Sequence, residues 1–285
     1  MSAETPAEIL RRHGLRPKKE WGQNFLGNER ILSALAALAR LEPTDTVVEL
    51  GAGLGHFTRA LAASGAQVVA VERDPELVPI LKADLKDLRV EIEQGDAKQV
   101  DLAAHARRAG GPVVLVGNLP YHLSSPILFH LLDNRASVKR AVFLLQREVA
   151  ERVAAPPGGK EYGLLSVLLG LYADAHVGLA VPRGAFLPPP DVESSALVLE
   201  LLPAPRAPIG DEQRFRAVVK AAFSQRRKTL WNALNALEGG REALTRSGVD
   251  PQRRGETLSV AEFAAIERGM PAVTSGGVLK EPDNG

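Results

Sequence analysis

The sequence contains no cysteine in its 285 residues. That excludes disulfides, thiolate metal sites, iron–sulfur clusters and cysteine nucleophiles together. No apolar run approaches the ~18 residues that a membrane span requires. The apolar core of a signal peptide is also missing, and the chain opens on a polar Thr5-Pro6-Ala7-Glu8 stretch. The six histidines show no metal-ligand spacing. There is no G-x-S-x-G element and no trustworthy pair of catalytic carboxylates. These absences lead to the expectation of a soluble cytoplasmic protein with no membrane partner and no metal.

Apolar residues make up 45% and charged residues 24%, as in an ordinary globular protein. The length suits one large or two moderate domains. Basic and acidic residues nearly cancel, 35 against 34, but their placement is uneven. Residues 11–19 hold Arg11, Arg12, Arg16, Lys18 and Lys19 with no acid, and residues 214–228 hold Arg214, Arg216, Lys220, Arg226, Arg227 and Lys228, again with no acid. Two basic blocks on an acidic body suggest a local surface for a polyanion. Two solvated helix faces would account for the same pattern.

Thr5, Pro6, Glu8 and Gly14 read as the cap, first turn, capping box and stop of a first helix. Ile31, Leu32, Leu35, Leu38 and Leu41 place a second helix over 29–41. Short β-branched runs then appear at 46–50, 67–71, 89–93, 113–117 and 139–145, separated by helical stretches. That alternation predicts a parallel sheet covered on both faces. A buried helix is expected over 162–172, and two more strands near 175–181 and 195–202. The Pro-rich connection 182–193 is too short for a crossover helix, so the last strand should enter antiparallel. The stretch 203–208 reads as a stiff linker, and all signals beyond it are helical. Asp211 can cap a helix there, and Ser259 with Glu262 forms a second capping box with Leu258 and Phe263 as its staple. The expected organisation is an α/β sheet domain over 1–205, a helical domain over 206–270 and a disordered tail over 271–285.

The first strand runs into Glu49-Leu50-Gly51-Ala52-Gly53-Leu54-Gly55. Glycines at a first strand-to-helix turn let a ligand approach the backbone closely. The dinucleotide fingerprint would place Gly or Ala at 56, where His56 stands. Glu72 ends the second strand, where an acid accepts hydrogen bonds from ribose hydroxyls. Asp96 and Ala97 end the third, where an acid and the next backbone N–H can recognise adenine. No phosphate-binding lysine motif accompanies this adenosine-shaped cleft, which points to S-adenosylmethionine.

Asn118-Leu119-Pro120-Tyr121 ends the fourth strand. Pro120 fixes the turn and pushes Leu119 to an extended conformation. That aims the Asn118 amide oxygen and a main-chain carbonyl into the cleft, two acceptors for a planar exocyclic amine. Tyr121 offers a flat surface for an extruded base. Phe186, in a Pro-braced loop, offers another, or else serves as a core plug under that loop. The stretch 224–230 carries aliphatic stems among basic heads, as an RNA backbone requires, or is an exposed helix start.

Gly22-Gln23-Asn24-Phe25-Leu26, Glu49–Gly55, Glu72, Gly95-Asp96-Ala97, Asn118–Tyr121 and the loop Val181–Ser194 together resemble the ribosomal RNA adenine dimethyltransferase family. The likeness runs over residues 9–268 and is nearest to the bacterial small-subunit (16S) enzymes that dimethylate two adjacent adenines near the RNA 3′ end. It implies a Rossmann-like methyltransferase fold with a small helical C-terminal domain. It further implies that Gln23, Asn24 and Leu26 close over S-adenosylmethionine, that Gly51 and Gly53 border its methionine part, that Glu72 binds the ribose, and that Asp96 and Ala97 bind the adenine. Asn118 would hold the target amine and border the cofactor, Leu119 and Pro120 would shape the turn, and Tyr121 and Phe186 would sandwich the flipped base. Lys18, Lys19, Arg226, Arg227 and Lys228 would bind RNA, with a monomer acting on a pre-assembled small subunit. Asn28 and Ala52 depart from the family's common Asp and Pro. Three other readings stand beside this one. They are a large-subunit rRNA methyltransferase of the antibiotic-resistance branch, a non-catalytic ribosome-assembly factor, and a nicotinamide dehydrogenase, which fails on His56.

Overall fold

The computed structural model describes residues 4–225 and 227–271. Contacts divide them into two compact units, one from residues up to 156 and from 161 to 204, the other from 157–160 and from 205 onward. The sequence reading left 157–160 in the first domain. The excursion groups with the second unit because the Gly158 N–H donates to the Glu256 carbonyl at 2.8 Å, a long-range link with no local signature. Arg226 and all of the expected tail but Pro271 lie outside the described residues.

Nine strands form in the first unit: β1 (Phe25–Leu26), β2 (Thr46–Leu50), β3 (Gln67–Glu72), β4 (Val90–Gln94), β5 (Val113–Asn118), β6 (Val138–Gln146), β7 (Ala173–Val181), β8 (Phe186–Leu187) and β9 (Ser194–Leu201). Seven make one sheet in the order β4-β3-β2-β5-β6-β9-β7. β2 to β6 run parallel, and β9 inserts antiparallel between β6 and β7. The short connection before β9 forces that reversal, since no helix intervenes to carry the chain back. The valine-rich strands β2, β3 and β5 are buried almost throughout, as strands covered on both faces must be. β4 is the exception. It is one edge of the sheet, with β7 at the other, and its alternating charges in Val90-Glu91-Ile92-Glu93 reflect half-exposure. The separate pairing of β1 with β8 was not foreseen, because two residues carry no readable period.

The first helix, Pro6–Arg12, has the expected Thr5–Glu8 capping box, and Gly14 follows at φ +66°. The second is shorter than expected, Glu29–Leu38 rather than 29–41, because Arg40 takes φ +48° and turns the chain out of the helix. Its cap is Asn28, whose side chain accepts the Ile31 N–H at 3.1 Å. Asparagine therefore serves there as well as aspartate does. The helix expected over 162–172 spans Leu164–Gly170.

The second unit is helical, with its longest helices at Glu212–Ser224, Gly240–Ser247 and Val260–Arg268. Phe215, Val218, Leu230, Leu244 and Phe263 are fully buried in it. Asp211 caps the first of these helices, and Ser259 with Glu262 closes the capping box of the last, over a buried Leu258–Phe263 staple. Glu267, fully buried, accepts the Gly210 and Asp211 N–H groups at 2.7 and 2.9 Å and Arg214 Nε at 3.1 Å. No helix among the described residues is long and apolar enough to cross a membrane.

In the sheet, β3 lies on one side of β2 and β5 on the other. The strand order therefore reverses at the β2–β5 boundary. A crevice opens at the carboxyl ends of strands at such a switch point, since the following helices depart to opposite faces. β2 delivers Gly51 there and β5 delivers Asn118; a Cβ on Gly51 would lie 3.9 Å from the Asn118 carbonyl oxygen.

Candidate active site

A cavity fills this crevice. Its wall includes Gly51 to Leu54 after β2, Glu72 at the end of β3, Asn118 to Tyr121 after β5, and Trp21 to Leu26 of the N-terminal segment. Gly51, Gly53 and Gly55 all have positive φ, at +77°, +57° and +80°. Only glycine adopts this conformation without strain, and it turns the loop's backbone toward the cavity.

Glu72 anchors that loop. One carboxylate oxygen accepts the Gly53 N–H at 2.7 Å and the other the Asp74 N–H at 2.7 Å. Burial pushes its carboxyl above the ordinary range, while these backbone donors pull the other way. Glu49, which the sequence reading left without a role, is 1% exposed on the same wall, and its Oε2 has no hydrogen-bond partner among the described residues. Burial pushes it up to about 8, and the neighbouring Glu72 charge adds to the effect. Thr58 pulls the other way, but one oxygen of this buried carboxyl stays unsatisfied beside a cavity, where a cationic ligand group would complete it.

Gln23, Asn24 and Leu26 lie on the cavity wall as expected, but the Gln23 side chain is turned to the protein. Its Oε1 accepts the Lys18 N–H at 2.9 Å and its Nε2 donates to Asp74 at 2.8 Å. Asp74 also accepts from Lys18 Nζ at 2.8 Å. The segment 18–26 is thus a strap fastened over the cleft through one aspartate. Lys18, expected as an RNA-facing cation, here pairs with Asp74 and Glu76 as part of this strap. Two carboxylates hold its ammonium more firmly than a solvated phosphate contact would. Lys19 remains exposed, as do Arg227 and Lys228.

Asp96 and Ala97 are not on the cavity wall. The Asp96 carboxylate caps its own loop, accepting the Lys98 N–H at 3.0 Å, and faces Arg73 at 3.9 Å. Arg73 lies 5.1 Å over the Trp21 ring, which does line the wall. Trp21 and Arg73 therefore stand at the cleft rim with Asp96.

The acceptor turn is organised from two sides. Asn118 Nδ2 donates to the Asn24 carbonyl at 3.0 Å, which fixes the amide and leaves Oδ1 as an acceptor. Leu119 is buried, and its N–H reaches the Leu144 carbonyl at 3.3 Å. The Tyr121 hydroxyl shares a 2.7 Å hydrogen bond with fully buried Ser194, the first residue of β9. Burial pushes the Tyr121 phenol up. A second opening, lined by Gly22, Asn24, Tyr121, His122 and Gln146, adjoins the first through their shared residues. Tyr121 thus stands where the two meet.

Phe186, expected either as the opposite stacking face or as a core plug, is 5% exposed, belongs to a core cluster with Leu26, Leu35 and Leu144, and its backbone pairs with Leu26 in the β1–β8 ribbon. In this structure it packs beneath its loop, beside the strap residue Leu26. His56 has a structural explanation: its Nε2 donates to the Glu4 carbonyl at 2.8 Å, and burial pushes its pKa down. It pins the entry of the first helix.

The profile of the ribosomal RNA adenine dimethylase family matches residues 14–270. A protein of Myxococcus xanthus, "Ribosomal RNA small subunit methyltransferase A", is 53% identical over 95% of this chain and 97% of its own. Its namesake in Geobacter metallireducens is 46% identical over 93% and 99%. Among solved structures, a dimethyladenosine transferase from Plasmodium falciparum superposes with TM-score 0.70 at 25% identity, covering 85% of this chain and 95% of that one. The 23S rRNA methyltransferase ErmE superposes with TM-score 0.69 at 23% identity over 87% and 99%, a likeness of fold. A reversing parallel sheet with an antiparallel last strand, an Asn-Leu-Pro-Tyr turn at its switch point and a family profile over almost the whole length agree with one another, and the chain belongs to the ribosomal RNA adenine dimethylase family.

Proposed function

We propose that this protein is an rRNA adenine dimethyltransferase. It transfers methyl groups from S-adenosylmethionine to the exocyclic amines of two adjacent adenines near the 3′ end of small-subunit rRNA, acting as a cytoplasmic monomer on a pre-assembled subunit. The observation that carries this reading is the Asn118 amide. Its nitrogen is spent on the Asn24 carbonyl, so its oxygen is aimed as an acceptor at the crevice.

The cleft fits an adenosine-bearing cation. Glu49 supplies a buried carboxyl with one unsatisfied oxygen for an ammonium, Glu72 a carboxylate at the end of β3 for ribose hydroxyls, and the glycine loop a close backbone approach. When bound, S-adenosylmethionine supplies an electrophilic methyl group on a sulfonium. Asn118 Oδ1 and a main-chain carbonyl of the turn accept the two hydrogens of the adenine amine. That draws the nitrogen lone pair out of conjugation with the ring. Tyr121, held by Ser194, presents its face to the extruded base. The group transferred would be that methyl, leaving S-adenosylhomocysteine, and the methylated amine would lose its proton to water. No strong base is needed; positioning does most of the work. A second round requires only that the turn admit the monomethylated amine.

The test is methyl transfer from labelled S-adenosylmethionine to small subunits lacking the modification, with Asn118→Ala alongside and large-subunit RNA as control. Dimethyladenine in small-subunit RNA, lost in the variant, is the expected result. Labelling of large-subunit RNA alone moves the protein to the resistance branch. Subunit binding without transfer makes it an assembly factor.

A further inference from the structure

Trp231 lies in the second unit and is 38% exposed. Tryptophan ordinarily buries most of its ring. The other large apolar side chains of similar exposure among the described residues, Leu88, Val177 and Val192, are aliphatic and belong to the first unit. Trp231 is held firmly. Its N–H donates to the Pro251 carbonyl at 3.1 Å, the Leu230 N–H donates to the Arg253 carbonyl at 2.8 Å, and the Leu230 side chain is fully buried. The Arg241 guanidinium lies 4.7 Å from the ring centroid, and its Nε donates to the Trp231 carbonyl at 3.1 Å. The cation is therefore fixed against the ring by a backbone contact.

The surroundings select a ligand. The second unit, counted over residues 157–160 and 205–271, holds 13 basic and 8 acidic residues. Arg227, Lys228 and Asn232, close to Trp231 in sequence, are exposed. A protein-docking tryptophan sits among apolar neighbours that exclude water. Here the ring is backed by Arg241 and the exposed residues next to it in sequence are cations and an amide, the combination of aromatic face and phosphate-binding heads that holds single-stranded nucleic acid.

We propose that Trp231, backed by Arg241, is a stacking platform for an unpaired base of the RNA substrate, separate from the pocket for the methylated adenine. The proposal rests on the reading that the protein acts on rRNA. Arg227 and Lys228 hold the backbone beside that base, and the indole supplies a contact that no phosphate can make.

The chain has two tryptophans, so Trp21→Phe leaves Trp231 as the sole reporter. This variant is titrated with a single-stranded oligoadenylate and with an abasic oligomer of equal length. Saturable quenching by the first and none by the second is expected. Trp231→Ala should weaken oligoadenylate binding about tenfold. Its slope of log affinity against log salt should match the parent's, because stacking releases no counterions. Trp231→Phe keeps most of the affinity and serves as the check on folding. Lys228→Ala instead lowers the slope by about 0.7. Unchanged Trp231 emission at saturating RNA, equal quenching by the abasic oligomer, or full affinity in Trp231→Ala overturns the platform. Shielding of Trp231 from acrylamide by whole subunits but not by RNA overturns it in favour of a protein contact. Methyl transfer by the unsubstituted protein, used because Trp21 lines the cleft, without quenching in the variant removes the platform and leaves the enzymatic reading intact; quenching without that transfer does the reverse.

Discussion

Asp74 is 1% exposed, yet Lys18 Nζ and Gln23 Nε2 reach its carboxylate at 2.8 Å and the Glu76 N–H at 3.0 Å. Burial alone would push its carboxyl up; these three donors outweigh that and hold it below the usual range. It therefore stays ionised, and the strap stays fastened, above the ordinary carboxylate range of pH. Asp74→Ala should lower the unfolding free energy by about 2–3 kcal/mol, the worth of hydrogen bonds to a charged group. It should weaken S-adenosylhomocysteine binding as the strap loosens, and red-shift Trp21 emission as Lys18 Nζ, now 4.9 Å from that ring's centroid, leaves it. Urea titration, calorimetry and fluorescence check these; unchanged affinity and emission would show that the strap does not depend on Asp74. Glu49 behaves oppositely. Its folded-state pKa is raised to about 8, so the native state holds a proton that the unfolded chain has already lost. Its contribution to stability is complete below the ordinary glutamate range and declines as pH rises toward that value. Glu49→Gln should therefore melt higher than the parent at pH ~8, with the difference shrinking toward pH ~5. A cationic ligand beside Glu49 favours the carboxylate, so cofactor uptake at neutral pH should release a proton, seen in calorimetry as a dependence on buffer ionisation heat. Asn118, Glu72 and the glycines were legible in the sequence because they sit at strand ends, which short valine-rich runs mark clearly. Glu49 and Asp74 were not, because their environments arise only when distant segments close over them.

At the scale of elements, the acceptor turn depends on how closely β5 can approach β2. A Cβ on Gly117 would meet the Leu50 carbonyl oxygen and Leu119 Cδ2, each at 2.7 Å. Gly117→Ala must therefore shift the strand or the turn, at a cost of about 1–3 kcal/mol by overpacking. The shift lands on Asn118, the next residue. Turnover should fall at least tenfold while S-adenosylhomocysteine affinity changes much less, because Glu49 and Glu72 sit on neighbouring strands. An equal loss in both would mean that the turn and the cofactor cleft form one rigid piece. Ser194→Ala acts from the other side by freeing the Tyr121 hydroxyl, and should lower turnover with the cofactor KM unchanged. Element types were legible wherever periodicity was long, as in the valine strands and the capped helices. They were not where pairing is made by two residues, and Phe186 shows the consequence: the Pro-rich loop marks a rigidly held aromatic, but its packing beside Leu26 emerges only once the β1–β8 ribbon forms.

At the scale of the whole molecule, charge is what the sequence shows and what folding redistributes. The two basic blocks look equivalent in sequence but do not survive equally. In the first, Arg12 and Lys18 are drawn into ion pairs with Asp84 and Asp74. In the second, Arg214 and Arg216 pair with Glu267 and Glu212, while Lys220, Arg227 and Lys228 stay exposed. On the proposed function, affinity for subunits would therefore rest on fewer cations than the blocks suggest. It should still fall steeply between ~50 and ~200 mM salt, because each phosphate contact releases a counterion. S-adenosylhomocysteine binding in the closed cleft should change little over the same range, since buried contacts are screened far less. Replacing Lys19, Arg227 and Lys228 together should reduce the salt slope by about 2 and leave cofactor affinity as it was. Replacing Arg12, Arg214 and Arg216 should lower the melting temperature and leave the slope unchanged. Filter binding of subunits across a salt series, run beside calorimetry of the cofactor, separates the two groups. A slope that falls with the paired arginines would mean that their ion pairs open on the subunit.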